Sequence, residues 1–169
     1  VVWGGIHATV SPEECLRHAD YICTGEGELP LAELLDRLAA GETRPEVCGL
    51  WSCADGQVRP TPPRPLIQDL DSLPFPDYDL DRHDVLFDGR LRPFTPELLR
   101  YFLSEQMRMP AGTERFTGIR DHRPAMYQTM ASRGCPFSCT YCCNDVFKRQ
   151  FTGQRILRYR SPENIVEEI

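Results

Sequence analysis

The chain has 169 residues, enough for one ordinary domain or for parts of two. Its 41% hydrophobic and 26% charged residues are those of a soluble globular protein, and no apolar run approaches the roughly 18 residues that a membrane span needs. The net charge of −6 is unevenly spread, with 10 acids against 4 bases over residues 1–59 and 4 against 6 over residues 125–169; this argues against nucleic acid as a partner and leaves a solvated surface or a pocket for an anionic cofactor.

The chain opens on "VVWGG", a strand already under way with no initiator methionine, and stops on "SPENIVEEI", inside an amphipathic pattern. It is therefore expected to be a piece of a longer protein. After the first strand, "SPEECLRHAD" carries a helix start: Ser11 as cap, Pro12 at the first position and Glu14 completing a capping box. "DYIC" reads as a short buried strand and "TGEGE" as a glycine loop. "LPLAELLDRLAAG" reads as a helix with Leu31, Leu34, Leu35 and Leu38 on one face and Gly41 at its stop. Strand, helix, strand, helix predicts an α/β fold with a parallel sheet over residues 1–59. "GLWSCADGQVR" then predicts a hairpin turning at Asp55-Gly56.

Eight of the fifteen prolines lie between Pro60 and Pro96. Such density opposes regular structure, so residues 60–124 are expected to form a partly extended linker, broken by one helix near "TPELLRYFLSEQM". From residue 125, "AMYQTMA" predicts a strand and "SRGCPFSCTYCCND" the loop at its end. "SPENIVEEI" predicts a helix capped by Ser161. Residues 125–169 thus read as the opening βα unit of a second α/β domain, with chemistry placed at the C-terminal end of its strand.

Cys135, Cys139 and Cys142 have the spacing C-x3-C-x2-C, so one loop can present three thiolates to a single metal centre. Three ligands on a cube of four irons would leave one iron open, the mark of a reactive rather than a structural centre. A zinc knot completed by His122 or Cys143, or a disulfide pair, would also use these residues; the x3 gap fits zinc poorly and nothing indicates an oxidising compartment. Cys143 is expected to be a small buried residue and Phe137 an apolar loop anchor. Cys15, Cys23, Cys48 and Cys53 show no ligand spacing and are expected to be reduced, packing cysteines. The basic stretch with Lys148, Arg149, Arg155, Arg158 and Arg160 reads as a solvated loop that salts to nearby acids.

The segment "RGCPFSCTYC" resembles the signature of the radical S-adenosylmethionine superfamily. The resemblance implies that Cys135, Cys139 and Cys142 hold a [4Fe–4S] cluster whose open iron takes S-adenosylmethionine. Tyr141 would pack near the adenine. The reduced cluster would cleave the sulfonium to a 5′-deoxyadenosyl radical that abstracts hydrogen from a substrate.

"GGIHAT" with "DYICTGEGE" is similar to the C-terminal half of the Rossmann-like cobalamin-binding domain that precedes the radical (β/α) barrel in one large subfamily. On that likeness Gly4 and Gly5 would approach the nucleotide tail of cobalamin. Gly25, Glu26, Gly27 and Glu28 would form a second loop at the same sheet edge, and His7 would be a loop residue near the tail, an ordinary hydrogen-bonded histidine being the alternative. Subfamily members include methylases and ring-forming enzymes. A cytoplasmic enzyme is implied, acting on an unknown small molecule with an electron donor such as flavodoxin or ferredoxin. A radical methylthiotransferase shares the cysteine motif but carries three further cluster cysteines, which Cys15, Cys23, Cys48 and Cys53 do not reproduce.

Overall fold

A computed structural model describes residues 1–77, 79–105 and 129–169, with the backbone alone at 103–105. It is a mixed α/β structure that divides into two compact units, one of Val1–Ser72 with Ser132–Arg160 and one of Leu73–Ala131 with Ser161–Ile169.

The first unit begins with β1 (Val2–Trp3), α1 (Ile6–Val10), α2 (Pro12–Cys15), β2 (Tyr21–Cys23), α3 (Glu28–Ala39), β3 (Leu50–Ala54) and β4 (Gln57–Arg59), the strands forming one sheet in the order β1-β2-β3-β4. β1 and β2 run parallel, Val2 beside Tyr21 and Trp3 beside Ile22, as the strand–helix–strand order predicts. β3 instead returns antiparallel to β2, so the sheet is mixed. The hairpin of β3 and β4 turns at Asp55 (φ 53°) and Gly56 (φ 73°), the two left-handed residues that an Asp-Gly turn supplies.

Successive side chains of a strand face opposite sides of its sheet, and β2 uses both. Ile22 joins Ala8, Cys15 and Leu16 from the side of α1 and α2, whereas Cys23 joins Leu34, Val47 and Leu50 from the side of α3. The sheet is therefore covered on both faces at this strand. Of the apolar face expected on α3, Leu34 is buried, while Leu31, Leu35 and Leu38 remain at least 40% exposed. Ser11 does cap α2, but its side chain makes no capping hydrogen bond, and α1, which no cap signal announced, precedes it.

The first part of the proline-rich stretch lies against this unit. Thr61 accepts from the Gly49 amide and reaches the carbonyls of Val47 and Leu50, and Leu66 and Leu70 are buried. The unit then resumes with β7 (Ser132–Arg133), a helix α5 (Asn144–Gln150) and β8 (Arg158–Tyr159), β7 and β8 forming a short antiparallel pair.

The second unit contains β5 (Asp84–Phe87), β6 (Arg90–Pro93), α4 (Pro96–Glu105) and a final helix α6 (Pro162–Glu168). The β5–β6 hairpin is structure where the prolines predicted none; it turns at Asp88 and Gly89, again both left-handed. Phe87 packs edge-on to Tyr101 and Phe102, and Phe102 to Phe94, which seats α4 on the hairpin. Ser161 caps α6 as expected, its hydroxyl accepting from the Asn164 amide at 3.1 Å. The strand expected over 125–131 falls largely outside the described residues, as does His122. Among the described residues no helix is long and apolar enough to cross a membrane.

Candidate functional site

The cysteine loop leaves β7 through Gly134, which has φ +88°. A Cβ at this position would stand 2.2 Å from the carbonyl oxygen of Ile156, so the loop crosses the approach to β8 where only glycine fits. Gly134→Ala is expected to cost about 2–4 kcal/mol, from a left-handed conformation plus overpacking against backbone. A drop in the urea midpoint checks it, and an unchanged midpoint would contradict it.

Beyond Gly134 the loop is fastened at its far end. The Cys142 amide donates to the Cys139 carbonyl at 3.1 Å, and the Asp145 amide to the Cys142 carbonyl, leading directly into α5. From α5, Lys148 Nζ donates to the Phe137 carbonyl and to Ser138 Oγ. Cys135, Cys139 and Cys142 are all half-buried and all free thiols. The structure puts them on one short loop without gathering them: among the described residues no three His, Cys, Asp or Glu side chains stand close enough together to hold a metal ion. The donor set itself, three reachable thiols with no competing disulfide, suits an iron–sulfur cluster.

Around the loop, two expectations are corrected. Cys143 is exposed rather than buried, at the position immediately before α5. Phe137 is 70% exposed and anchors nothing; Lys148 performs that role through the backbone. Tyr141 is 91% exposed, an aromatic face available beside Cys142.

The two glycine loops follow β1 and β2. Because these strands are adjacent and parallel, Gly4-Gly5 and Gly25–Glu28 emerge at the same sheet edge, where open α/β sheets bind ligands. A buried threonine joins them: Thr9 Oγ1 donates to the Gly5 carbonyl at 2.9 Å and accepts from the Gly25 amide at 3.2 Å. Thr24, 3% exposed at the end of β2, has a hydroxyl with no hydrogen-bond partner among the described residues. His7 lies on α1 rather than in a loop, its ring tilted against Trp3 at 5.7 Å. Gly25 is held at φ +98°, and a Cβ there would come within 2.6 Å of the buried Phe151 ring.

Glu26 points inward. Arg158 Nη1 donates to both of its oxygens at 2.9 Å, Arg133 Nη1 to Oε1 at 3.0 Å and the Ile67 amide to Oε2 at 2.8 Å. Arg133 also pairs with Glu28. Arg158 is 1% exposed and makes two more bonds, Nη1 to the Ile67 carbonyl and Nε to the Ile156 carbonyl. This network was not legible in the basic stretch, where Arg158 read as a solvated residue. Arg133 directly before the cysteine motif and two carboxylates in one glycine loop were the available signals.

Burial pushes the Glu26 carboxyl upward, but the bonds from Arg158, the Ile67 amide and Arg133 outweigh it and hold the group below the usual carboxylate range. A depressed folded pKa gives stability that is fully present above the unfolded value of about 4.3 and is lost as pH falls through the folded value. Acidification below about pH 4.3 should therefore weaken the wild type more than Glu26→Gln, measured as urea midpoints across that range. Equal pH slopes would contradict it.

No family profile matches the chain, and no solved structure matches it. Similar curated proteins do exist. An uncharacterized methyltransferase of Pyrococcus horikoshii is 35% identical over 100% of this chain and 29% of its own length. The anaerobic magnesium-protoporphyrin IX monomethyl ester cyclase of Cereibacter sphaeroides is 30% identical over 99% of this chain and 22% of its own. The cytidylyl-2-hydroxyethylphosphonate methyltransferase of Streptomyces wedmorensis is 30% identical over 98% and 30%. The chain thus spans less than a third of each of these relatives. Along essentially its whole length it is similar to enzymes named for methyl transfer and for ring closure.

Proposed function

We propose that the chain is part of a cobalamin-dependent radical S-adenosylmethionine enzyme that performs methyl transfer or ring formation on a small molecule in the cytoplasm. The carrying observation is the loop 134–142, in which three free thiols at C-x3-C-x2-C spacing follow a glycine-only crossing. The names of the similar proteins support the reaction type. Eight free cysteines suit a reducing compartment.

In this reading Cys135, Cys139 and Cys142 hold the [4Fe–4S] cluster, and the exposed ring of Tyr141 covers the adenine. When bound, the cluster would supply the electron, received from a flavodoxin or ferredoxin, for reductive cleavage of S-adenosylmethionine, and cobalamin would supply a methyl group. Gly4, Gly5, Gly25 and Gly27 let backbone approach the cobalamin tail, with His7 beside it. Glu26 and Glu28 belong to the same rim, but their carboxylates are engaged by Arg133 and, for Glu26, Arg158, so this loop offers the cofactor its backbone.

Anaerobic reconstitution of the full-length protein tests the reading. About four irons and four sulfides per chain, with release of 5′-deoxyadenosine from S-adenosylmethionine and saturable cobalamin binding, are expected. Zinc without acid-labile sulfide, and no cleavage, would overturn it.

A further inference from the structure

The strand pair that closes the cysteine loop carries a charge conflict. β7 and β8 are two residues each, and their register sets Arg133 directly opposite Arg158. Like charges facing each other across an antiparallel pair destabilise it, and so short a ladder has little else to hold it. One carboxylate resolves the conflict: Glu26 Oε1 receives Arg133 Nη1 at 3.0 Å and Arg158 Nη1 at 2.9 Å. Of the two arginines Glu28 reaches Arg133, and among the described residues Glu26 is the carboxylate that meets the nearly inaccessible Arg158. The Glu26 backbone is fixed in turn, its carbonyl near Cys23 Sγ and its neighbour Gly25 wedged against Phe151.

We propose that Glu26 is the counter-ion that closes β7 on β8, which makes it a positioning residue for the loop of Cys135, Cys139 and Cys142 and a mechanical link from the 25–28 glycine loop to that loop. The proposal rests on reading 135–142 as the cluster loop. Cys135 stands two residues beyond Arg133, so whatever displaces Glu26 shifts the point from which the first thiolate leaves the ladder. A ligand drawing the 25–28 loop aside would be felt at the cluster without touching it.

The test uses the full-length protein, wild type, Glu26→Gln and the double variant Glu26→Gln with Arg158→Gln. Glutamine keeps the shape and leaves the buried Arg158 without its counter-ion, while Arg133 keeps Glu28; the second change removes that buried charge and with it the repulsion across the ladder. In Glu26→Gln, amide hydrogen exchange over residues 132–142 should quicken roughly tenfold or more, and the reduced cluster should lose most of its iron or change its electron paramagnetic resonance signal with S-adenosylmethionine. The double variant should recover part of both. Native exchange and a native signal in Glu26→Gln would overturn the proposal, as would a double variant no better than the single. If Glu26→Gln is insoluble, a soluble double variant supports the proposal and an insoluble one overturns it. A wild type that binds no iron sinks the proposed function instead, and hydrogen exchange alone then decides the role of Glu26.

Discussion

Arg158→Ala should destabilise the protein by about 3–5 kcal/mol, because it strips a buried carboxylate of its principal partner. The magnitude follows from burial. Arg158 is 1% exposed and Glu26 carries 11% of its side-chain surface in solvent, so water cannot replace the lost bonds. The change also leaves the Ile67 and Ile156 carbonyls without their donors and removes an apolar stem from the interior. Against the 5–15 kcal/mol typical of a whole domain, this is a large fraction. Arg158→Lys should recover part of the loss, since Nη1 alone meets Glu26, but not the Nε bond to Ile156. Urea denaturation measures both variants, and a double cycle with Glu26→Leu should show losses well short of additive. Additive losses would mean that the pair is not coupled.

Serine at Cys135, Cys139 and Cys142 together should abolish iron and sulfide retention while leaving the fold near wild-type stability. The two effects separate because the three thiols are half-buried on a loop and none belongs to either apolar cluster around β2. Serine is close in size and accepts hydrogen bonds, but its hydroxyl is no substitute for a thiolate on iron. Serine at Cys143 should leave iron retention intact, since that thiol is exposed beside Cys142 and lies outside the spacing. Iron lost equally from the Cys143 variant would assign the ligands differently.

The parts of the fold that local chemistry decides were readable in advance. Tyr21–Cys23 is a short apolar run between turn signals, Asp55-Gly56 demands a left-handed turn, and Ser161-Pro162 starts a helix; all three appear where expected. The Asp88-Gly89 turn carries the same signal as Asp55-Gly56, but the surrounding prolines masked it. The antiparallel return of β3 was not legible, because nothing in the ten residues after α3 states which way the chain re-enters the sheet. The shared edge of the two glycine loops was legible, since parallel order alone fixes it. The fate of Arg158 was not: its partner Glu26 lies 132 residues away, and no local pattern distinguishes a buried arginine from a solvated one. Spacing marked Cys135, Cys139 and Cys142, while the ion pairs that seat their loop depend on tertiary contact.

Electron paramagnetic resonance of the anaerobically reduced full-length protein, recorded with and without S-adenosylmethionine, bears most directly on the three thiolates. A [4Fe–4S] signal that changes when S-adenosylmethionine is added, and that disappears in the triple serine variant, is the expected result. A protein that contains no reducible cluster, or a cluster signal that survives serine at Cys135, Cys139 and Cys142, would contradict it.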